Sequence, residues 1–287
     1  QRSGRALLTQ IRTTTDKVVR KAKIDRRRVH LAAIGMPGVV DPQSGSLALS
    51  PNIPDFGGIN VIEAMSRAFD CPATIENDVN LAVLGEHWRG RGQGKNNLVF
   101  IALGTGIGMG LLADGNLIRG AHGAAAEIGY LPMGGDPFDP ANVKAGTFES
   151  IVGTDGIVRR FVAAGGTPTD GVRGIFEAMN AGDRIARRII DDTARWTALG
   201  VASVVALVDP ELVILGGGIG TRPEFIARIE DNLARCLLKP VPVAPSPLEN
   251  RAALMGAIAM GLGNLYGSVF GARSFPGAKP TGQPEAA

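Results

Sequence analysis

Cysteine is almost missing from this chain: Cys71 and Cys236 are the only two in 287 residues. Two thiols are too few for a disulfide framework or for a cysteine-built zinc site, so a reducing, cytoplasmic setting is expected. Long apolar runs are missing too. The longest, Leu98–Leu103 and Val201–Val208, fall far short of the roughly 20 residues of a membrane-spanning helix. Gln1–Arg12 is polar and has no apolar signal-peptide core. Neither sign of charge dominates, with 30 Lys and Arg against 27 Asp and Glu, which gives little reason to expect a nucleic-acid partner. The densest basic run, Arg20–Arg28, reads as a solvated helix end and turn. With 18 prolines and no glycine at every third position, a collagen is excluded.

Glycine is the residue in excess. The chain has 40, roughly twice the usual share of about 7%. Otherwise the composition is that of a folded chain, 45% hydrophobic and 20% charged, with the length of one large or two medium domains. The periodicity alternates. A helix is predicted over 4–23, a buried strand over 29–35, a helix over 59–69, a short strand over 74–76 and a helix over 79–88, the order of an α/β domain. The glycine-rich connector 89–95 marks a boundary. A strand over 97–102 continues through 108–113, turns at Asp114-Gly115 and returns over 116–119. Helices follow over 148–164 and 183–208, the second capped by Asp183. A buried strand over 211–215 and helices over 226–237 and 252–270 complete the pattern, and the Pro- and Gly-rich end from 271 reads as a flexible tail.

Four segments could carry chemistry. Gly104-Thr105-Gly106 ends a strand, and its backbone N–H groups could approach a phosphate closely. It is neither a Walker loop nor a good dinucleotide site, because a strand follows it rather than a helix; a tight hairpin alone would explain the glycines equally well. Gly216-Gly217-Gly218 opens from a buried strand, as a nucleoside surface or as a plain strand-to-helix turn. In Glu76-Asn77-Asp78-Val79-Asn80, Asp78 is either the cap of the following helix or a carboxylate that takes a proton from a hydroxyl attacking phosphorus, with Asn77 on a neighbouring hydroxyl. Glu127, among small residues after the hairpin, suits paired hydrogen bonds to sugar hydroxyls, or is a surface or capping Glu.

These segments, with Gly35-Met36-Pro37-Gly38-Val39-Val40-Asp41, Ser50-Pro51-Asn52-Ile53-Pro54 and Glu127-Ile128-Gly129, occur in the order found in the ROK family (repressors, open reading frames and kinases). The chain is identified as resembling that family from about Leu31 to Gly263. The resemblance implies the actin-like ATPase (ribonuclease H-like) fold of two-domain sugar kinases, α/β in class. The implied domains are an N-terminal one over 1–95 and a C-terminal one over 96–251, with a final helix, 252–270, returning toward the first. The first domain's phosphate-loop hairpin has no counterpart here and is expected upstream. By carry-over, Asp78 resembles the general base. Asn52, Asn77, Asp78, Glu127, Tyr130 and Glu149 resemble the sugar ligands, Gly104, Thr105 and Gly106 the phosphate loop, and Gly216, Gly217 and Gly218 the adenosine-side loop.

One departure is marked. Tyr130 stands where the family commonly places a zinc-binding His, and no cysteine follows it before Cys236, so no zinc is expected. Packing of Phe138 and its prolines is expected to hold that loop instead. This zinc-free stretch is more similar to the family's regulators. The first function implied is therefore the sugar-binding effector domain of a transcriptional regulator, reaching operator DNA through an upstream winged-helix part. The alternative is an ATP- and magnesium-dependent hexose kinase with Asp78 as base. A small-molecule sugar, a homodimer and no membrane complete the expectations.

Overall fold

The computed structural model describes residues 4–40, 45, 47–48 and 60–271. The chain opens with helix α1 (Gly4–Lys21), strands β1 (Ala32–Met36), β2 (Val39–Val40) and β3 (Leu47–Ala48), helix α2 (Val61–Phe69), strand β4 (Ala73–Asn77) and helix α3 (Asp78–Arg89). β1 runs parallel to β4, Met36 level with Asn77, while β2 and β3 form a small antiparallel pair. The apolar positions of α1 and α2 meet over this sheet: Met36, Val61, Met65 and Phe69 are buried, with Leu7, Leu8 and Ile11 of α1 against them. Arg26 is not a solvated member of the basic run, because it pairs with Asp16 at 2.8 Å and donates to the Phe69 carbonyl at 2.7 Å.

The remaining strands form one five-stranded sheet. They are β5 (Leu98–Leu103), β6 (Ile107–Ala113), β7 (Asn116–Leu117), β8 (Leu212–Gly216) and β9 (Val243–Pro245), in the order β7-β6-β5-β8-β9. β5 is antiparallel to β6 and parallel to β8. The turn predicted at Asp114-Gly115 is present, with φ of 49° and 75°, the left-handed pair that a two-residue hairpin requires. Helices α4 (Pro140–Ala145), α5 (Glu149–Val152), α6 (Thr154–Ala163), α7 (Gly171–Asn180), α8 (Arg184–Val208), the single turn α9 (Gly217–Gly220), α10 (Pro223–Cys236) and α11 (Ala252–Phe270) complete the order. The helix predicted over 148–164 is broken into α5 and α6 at Gly153, whose φ and ψ are extended.

Alternation along β5 divides the core. Val99, Ile101 and Leu103 face one side, with Phe148, Phe161, Phe176 and Phe225 fully buried there. Leu98 and Phe100 face the other side, toward α3 and α11. Each buried phenylalanine contributes on the order of 2–3 kcal/mol from apolar burial. Two glycines let α3 lie directly on α11: a Cβ at Gly85 would fall 2.1 Å from the Ala252 carbonyl oxygen, and one at Gly256 would run into that of Leu81. By length and composition the stretch 249–270 could cross a membrane, contrary to the reading from apolar runs, because glycines, Asn264 and Ser268 interrupt those runs while the mean hydropathy still reaches 1.4. Ala252, Gly256, Ala257, Ala259 and Met260 of this helix are buried.

Candidate functional site

β5 and β8 are neighbouring parallel strands, with Ala102 level with Gly216. Gly104-Thr105-Gly106 and Gly217-Gly218 therefore leave the sheet side by side at its carboxyl ends, where open α/β sheets bind ligands. Each loop requires its glycines. A Cβ at Gly106 would lie 2.4 Å from Glu149 Oε2, and one at Gly217, where φ is 79°, would lie 2.2 Å from the Leu103 carbonyl oxygen. Among the described residues nothing stands within 4 Å of where a Cβ would sit at Gly104 or Gly218, so there the backbone is open to a close approach. Gly217, Gly218, Thr221, Glu249 and Asn250 line a cavity of about 330 Å³. The first loop is fastened from behind, because the Thr154 hydroxyl donates to the Gly104 carbonyl at 2.8 Å and the Thr154 N–H to the carbonyls of Gly104 and Thr105.

The helix carrying Asp78 is brought to this loop by two more glycines. On β6, a Cβ at Gly108 would meet Val79 at 2.9 Å and one at Gly110 would meet the Val79 carbonyl at 2.4 Å. Their absence of side chains lets the first turn of α3 rest on β6, just beyond Gly106.

The cap of α3 is Asn77, not Asp78. Asn77 Oδ1 accepts from the Val79 and Asn80 N–H groups at 2.9 and 3.3 Å, and its Nδ2 donates to the Gly38 carbonyl at 3.1 Å. Extended φ and ψ at Asn77 (−59°, 142°) start the helix one residue earlier than its apolar pattern indicates. Asp78 is thereby the first helical residue, and its carboxylate is not needed for the cap. Burial raises its pKa, opposed by the backbone N–H groups of Val79 and Asp78 itself.

Glu127 and Glu149 come into the same region. Glu127 is raised by burial and then by the nearby charges of Glu149 and Asp78. Glu149 Oε2 accepts the Ile107 N–H at 3.0 Å. Burial raises Glu149, the Ile107 hydrogen bond lowers it, and Asp155 raises it further. Tyr130 lies beside this pair, its phenol raised by burial and by the charges of Glu127 and Glu149; the residue is 45% exposed, and its hydroxyl donates to the Lys144 carbonyl at 3.5 Å. Three partly buried carboxylates thus lie near one another, and each can accept hydrogen bonds from hydroxyl groups. Asn52 lies outside the described residues.

The Tyr130 loop is not held by Phe138, which is 88% exposed. Asp136 Oδ1 accepts the Phe138 N–H, Asp139 Oδ1 caps α4 at Ala141, and Asn142 donates to the Asp136 carbonyl, each at 2.9 Å. The buried aromatic is Phe148, whose ring fills the space over Gly200. Among the described residues no group of three or more His, Cys, Asp or Glu side chains could hold a metal ion.

Sequence reasoning also passed over Glu76. Its Oε1 accepts the Asn77 N–H at 3.0 Å and Asn80 Nδ2 at 2.9 Å, while Oε2 takes Arg119 Nε at 2.6 Å. The signal was an acidic residue in β4 directly before the Asn77-Asp78 junction.

An α/β chain with two glycine loops at a sheet's carboxyl ends and three partly buried carboxylates near one another has an architecture related to that of the sugar kinases. The chain belongs to the ROK family, whose model matches residues 3–263. It is 31% identical over 254 residues to the glucokinase of Thermotoga maritima, covering 81% of this chain and 79% of that one. It is 26% identical to the xylose repressor of Caldicellulosiruptor bescii, covering 85% of this chain and 65% of that one. The crystal structure of a ROK family glucokinase from Streptomyces griseus in complex with glucose and AMPPNP matches with a TM-score of 0.72 at 25% identity, over 91% of this chain and 88% of that one.

Proposed function

We propose that this chain is an ATP-dependent sugar kinase that transfers the γ-phosphoryl group to a hydroxyl of a hexose, with Asp78 as general base. The observation that carries the reading is the placement of Asp78: freed from capping by Asn77 and laid against β6 beside the Gly104–Gly106 loop. The sugar hydroxyl gives its proton to the Asp78 carboxylate as its oxygen attacks the γ-phosphorus, and ADP leaves. A carboxylate raised by burial is a better proton acceptor than an exposed one. Glu127, Tyr130, the uncommitted oxygen of Glu149 and the remaining amide hydrogen of Asn77 orient the sugar by its hydroxyls.

The open backbone at Gly104 and Gly218 fits the phosphates and nucleoside of ATP. Magnesium would arrive on the nucleotide, since it needs few protein carboxylates when phosphates supply its ligands, and would neutralise phosphate charge. The glucokinase relative and the glucose–AMPPNP complex support this reading over a purely regulatory one. The xylose repressor supports the second reading, in which the same cleft binds a sugar without transfer and operator DNA is contacted through another segment. Incubation with Mg-ATP and a panel of hexoses, followed by ADP release, tests the choice. Sugar-dependent ADP formation is expected. Sugar binding without ADP formation from any hexose would leave the regulatory reading standing.

A further inference from the structure

Glu86 is fully buried and has no part in the proposed chemistry, yet it stands on the helix that carries Asp78. Asp78 opens the first turn of α3, and Glu86 opens its last. A buried carboxylate needs hydrogen-bond partners, and both of its oxygens have one. Ser246 Oγ donates to Oε1 at 2.5 Å, and the Arg91 N–H donates to Oε2 at 3.0 Å. Gly90 leaves room for this, because a Cβ there would overlap Oε2.

These partners lead to the cavity beside the second glycine loop. Ser246 follows β9, and its N–H donates to the Leu215 carbonyl at 2.8 Å, just before β8 opens into Gly216 and Gly217. The Ser246 hydroxyl gives its hydrogen to Glu86, which leaves its oxygen to accept the Leu248 N–H at 3.2 Å. Leu248 directly precedes Glu249 and Asn250, which line the cavity with Gly217, Gly218 and Thr221. Glu249 has a φ of 51°, an uncommon conformation for a residue with a side chain, so the bonds on either side of it matter. The Leu248 carbonyl accepts the Arg251 N–H at 2.9 Å, and Arg91 Nε donates to the Pro245 carbonyl at 2.9 Å.

Ser246 therefore bonds to both segments that form the cavity, and Glu86 fixes which way its hydroxyl points. We infer that Glu86 is a positioning residue for the nucleoside part of ATP, acting through Ser246 to set the Glu249–Asn250 segment against the Gly217–Gly218 loop. The inference rests on the nucleotide site proposed above. One helix then places Asp78 at the phosphate loop and Glu86 behind the nucleoside cavity, where a misplacement of about 1 Å is enough to cost up to 10²-fold.

Titration of the whole chain with Mg-AMPPNP, beside titration with the preferred hexose, tests this. Ser246→Ala is expected to weaken AMPPNP binding about tenfold and sugar binding less than about threefold. Glu86→Gln is expected to do the same, and serves should Ser246→Ala fail to fold. Glu211 also accepts backbone N–H groups, those of Asn96 and Asn97, but at the opposite end of β8; Glu211→Gln is expected to bind AMPPNP as the parent does. Unchanged AMPPNP affinity in the first two variants overturns the inference. So does an equal loss of sugar affinity, or an equal loss in Glu211→Gln, since either marks a merely structural role. AMPPNP binding that falls in these variants while the parent phosphorylates no hexose upholds the inference and sinks the kinase reading. Phosphorylation by the variants at the parent's KM for ATP does the reverse. No AMPPNP binding by the parent overturns both.

Discussion

Arg119 Nε donates to Glu76 Oε2 at 2.6 Å, joining the end of β4 to the segment that follows β7. The pair links two parts of the proposed site. Glu76 fixes the Asn77–Asp78 junction through the Asn77 N–H and the Asn80 side chain. Arg119 leads into the Glu127 segment, where its carbonyl accepts the Ala125 N–H at 3.0 Å. Glu76 is buried, while Arg119 is half exposed. Replacing Arg119 by Ala leaves a buried carboxylate short of one partner, at a cost of about 1–2 kcal/mol, less than a fully buried pair because solvent reaches the arginine. Glu76→Gln keeps the shape and weakens the same bonds. Both variants are expected to lower kcat about tenfold more than they raise the sugar KM. Steady-state kinetics beside urea melts will show whether activity falls further than stability explains.

Gly106→Ala tests the phosphate loop. Its new methyl group would sit 2.4 Å from Glu149 Oε2, so the carboxylate that accepts the Ile107 N–H must move. The expected outcome is a KM for ATP raised about tenfold, with folding retained, since a displaced loop costs on the order of 1–3 kcal/mol. ATP titration of the kinase reaction measures it.

The three carboxylates predict a pH dependence with a definite sign. Asp78, Glu127 and Glu149 are all raised in the folded chain, so the folded state holds protons that the unfolded state has released. Their contribution to stability is therefore present below the ordinary carboxylate range, near about 4, and is lost as pH rises through their raised folded values. Glu127→Gln, which removes one charge from the group, is expected to raise Tm at pH 7 by about 2–4 °C, the shift that ~1 kcal/mol produces in a chain of this size. The gain should shrink as pH falls toward 4. Thermal melts across that interval check it.

Phe148, rather than Phe138, is the buried aromatic residue next to the Tyr130 loop. With its ring fully buried over Gly200, Phe148→Ala is expected to cost about 3–5 kcal/mol, while Phe138→Ala should change stability by less than about 0.5 kcal/mol. Chemical denaturation of the two variants separates them.

What the sequence could and could not show follows from how local each signal is. The β5–β6 hairpin, the Asp183 cap of α8 and the buried strand β8 each rest on a few adjacent residues, and all were legible. Helix α7 was not, because Gly171 and Gly174 obscure an apolar face of Val172, Ile175, Phe176 and Met179. Strand β9 hid among Pro240, Pro242, Pro245 and Pro247, which an edge strand tolerates. The anchoring of Asn77 to the Gly38 carbonyl and the choice of Phe148 over Phe138 depend on tertiary contacts, to Gly38 and to Gly200, which no local pattern carries. The glycine loops stood out in the sequence, whereas the reason they lie together, the pairing of β5 with β8, did not.

The central claim is that Asp78 takes the proton of the attacking sugar hydroxyl. The most direct measurement compares the parent chain with Asp78→Asn for Mg-ATP-dependent phosphorylation of the hexose that the parent prefers, beside direct titration of the same sugar. The account predicts that kcat falls by at least about 10²-fold, the lower bound for losing a general base, while sugar affinity changes by less than about tenfold. Phosphorylation by Asp78→Asn at the parent's rate would contradict it.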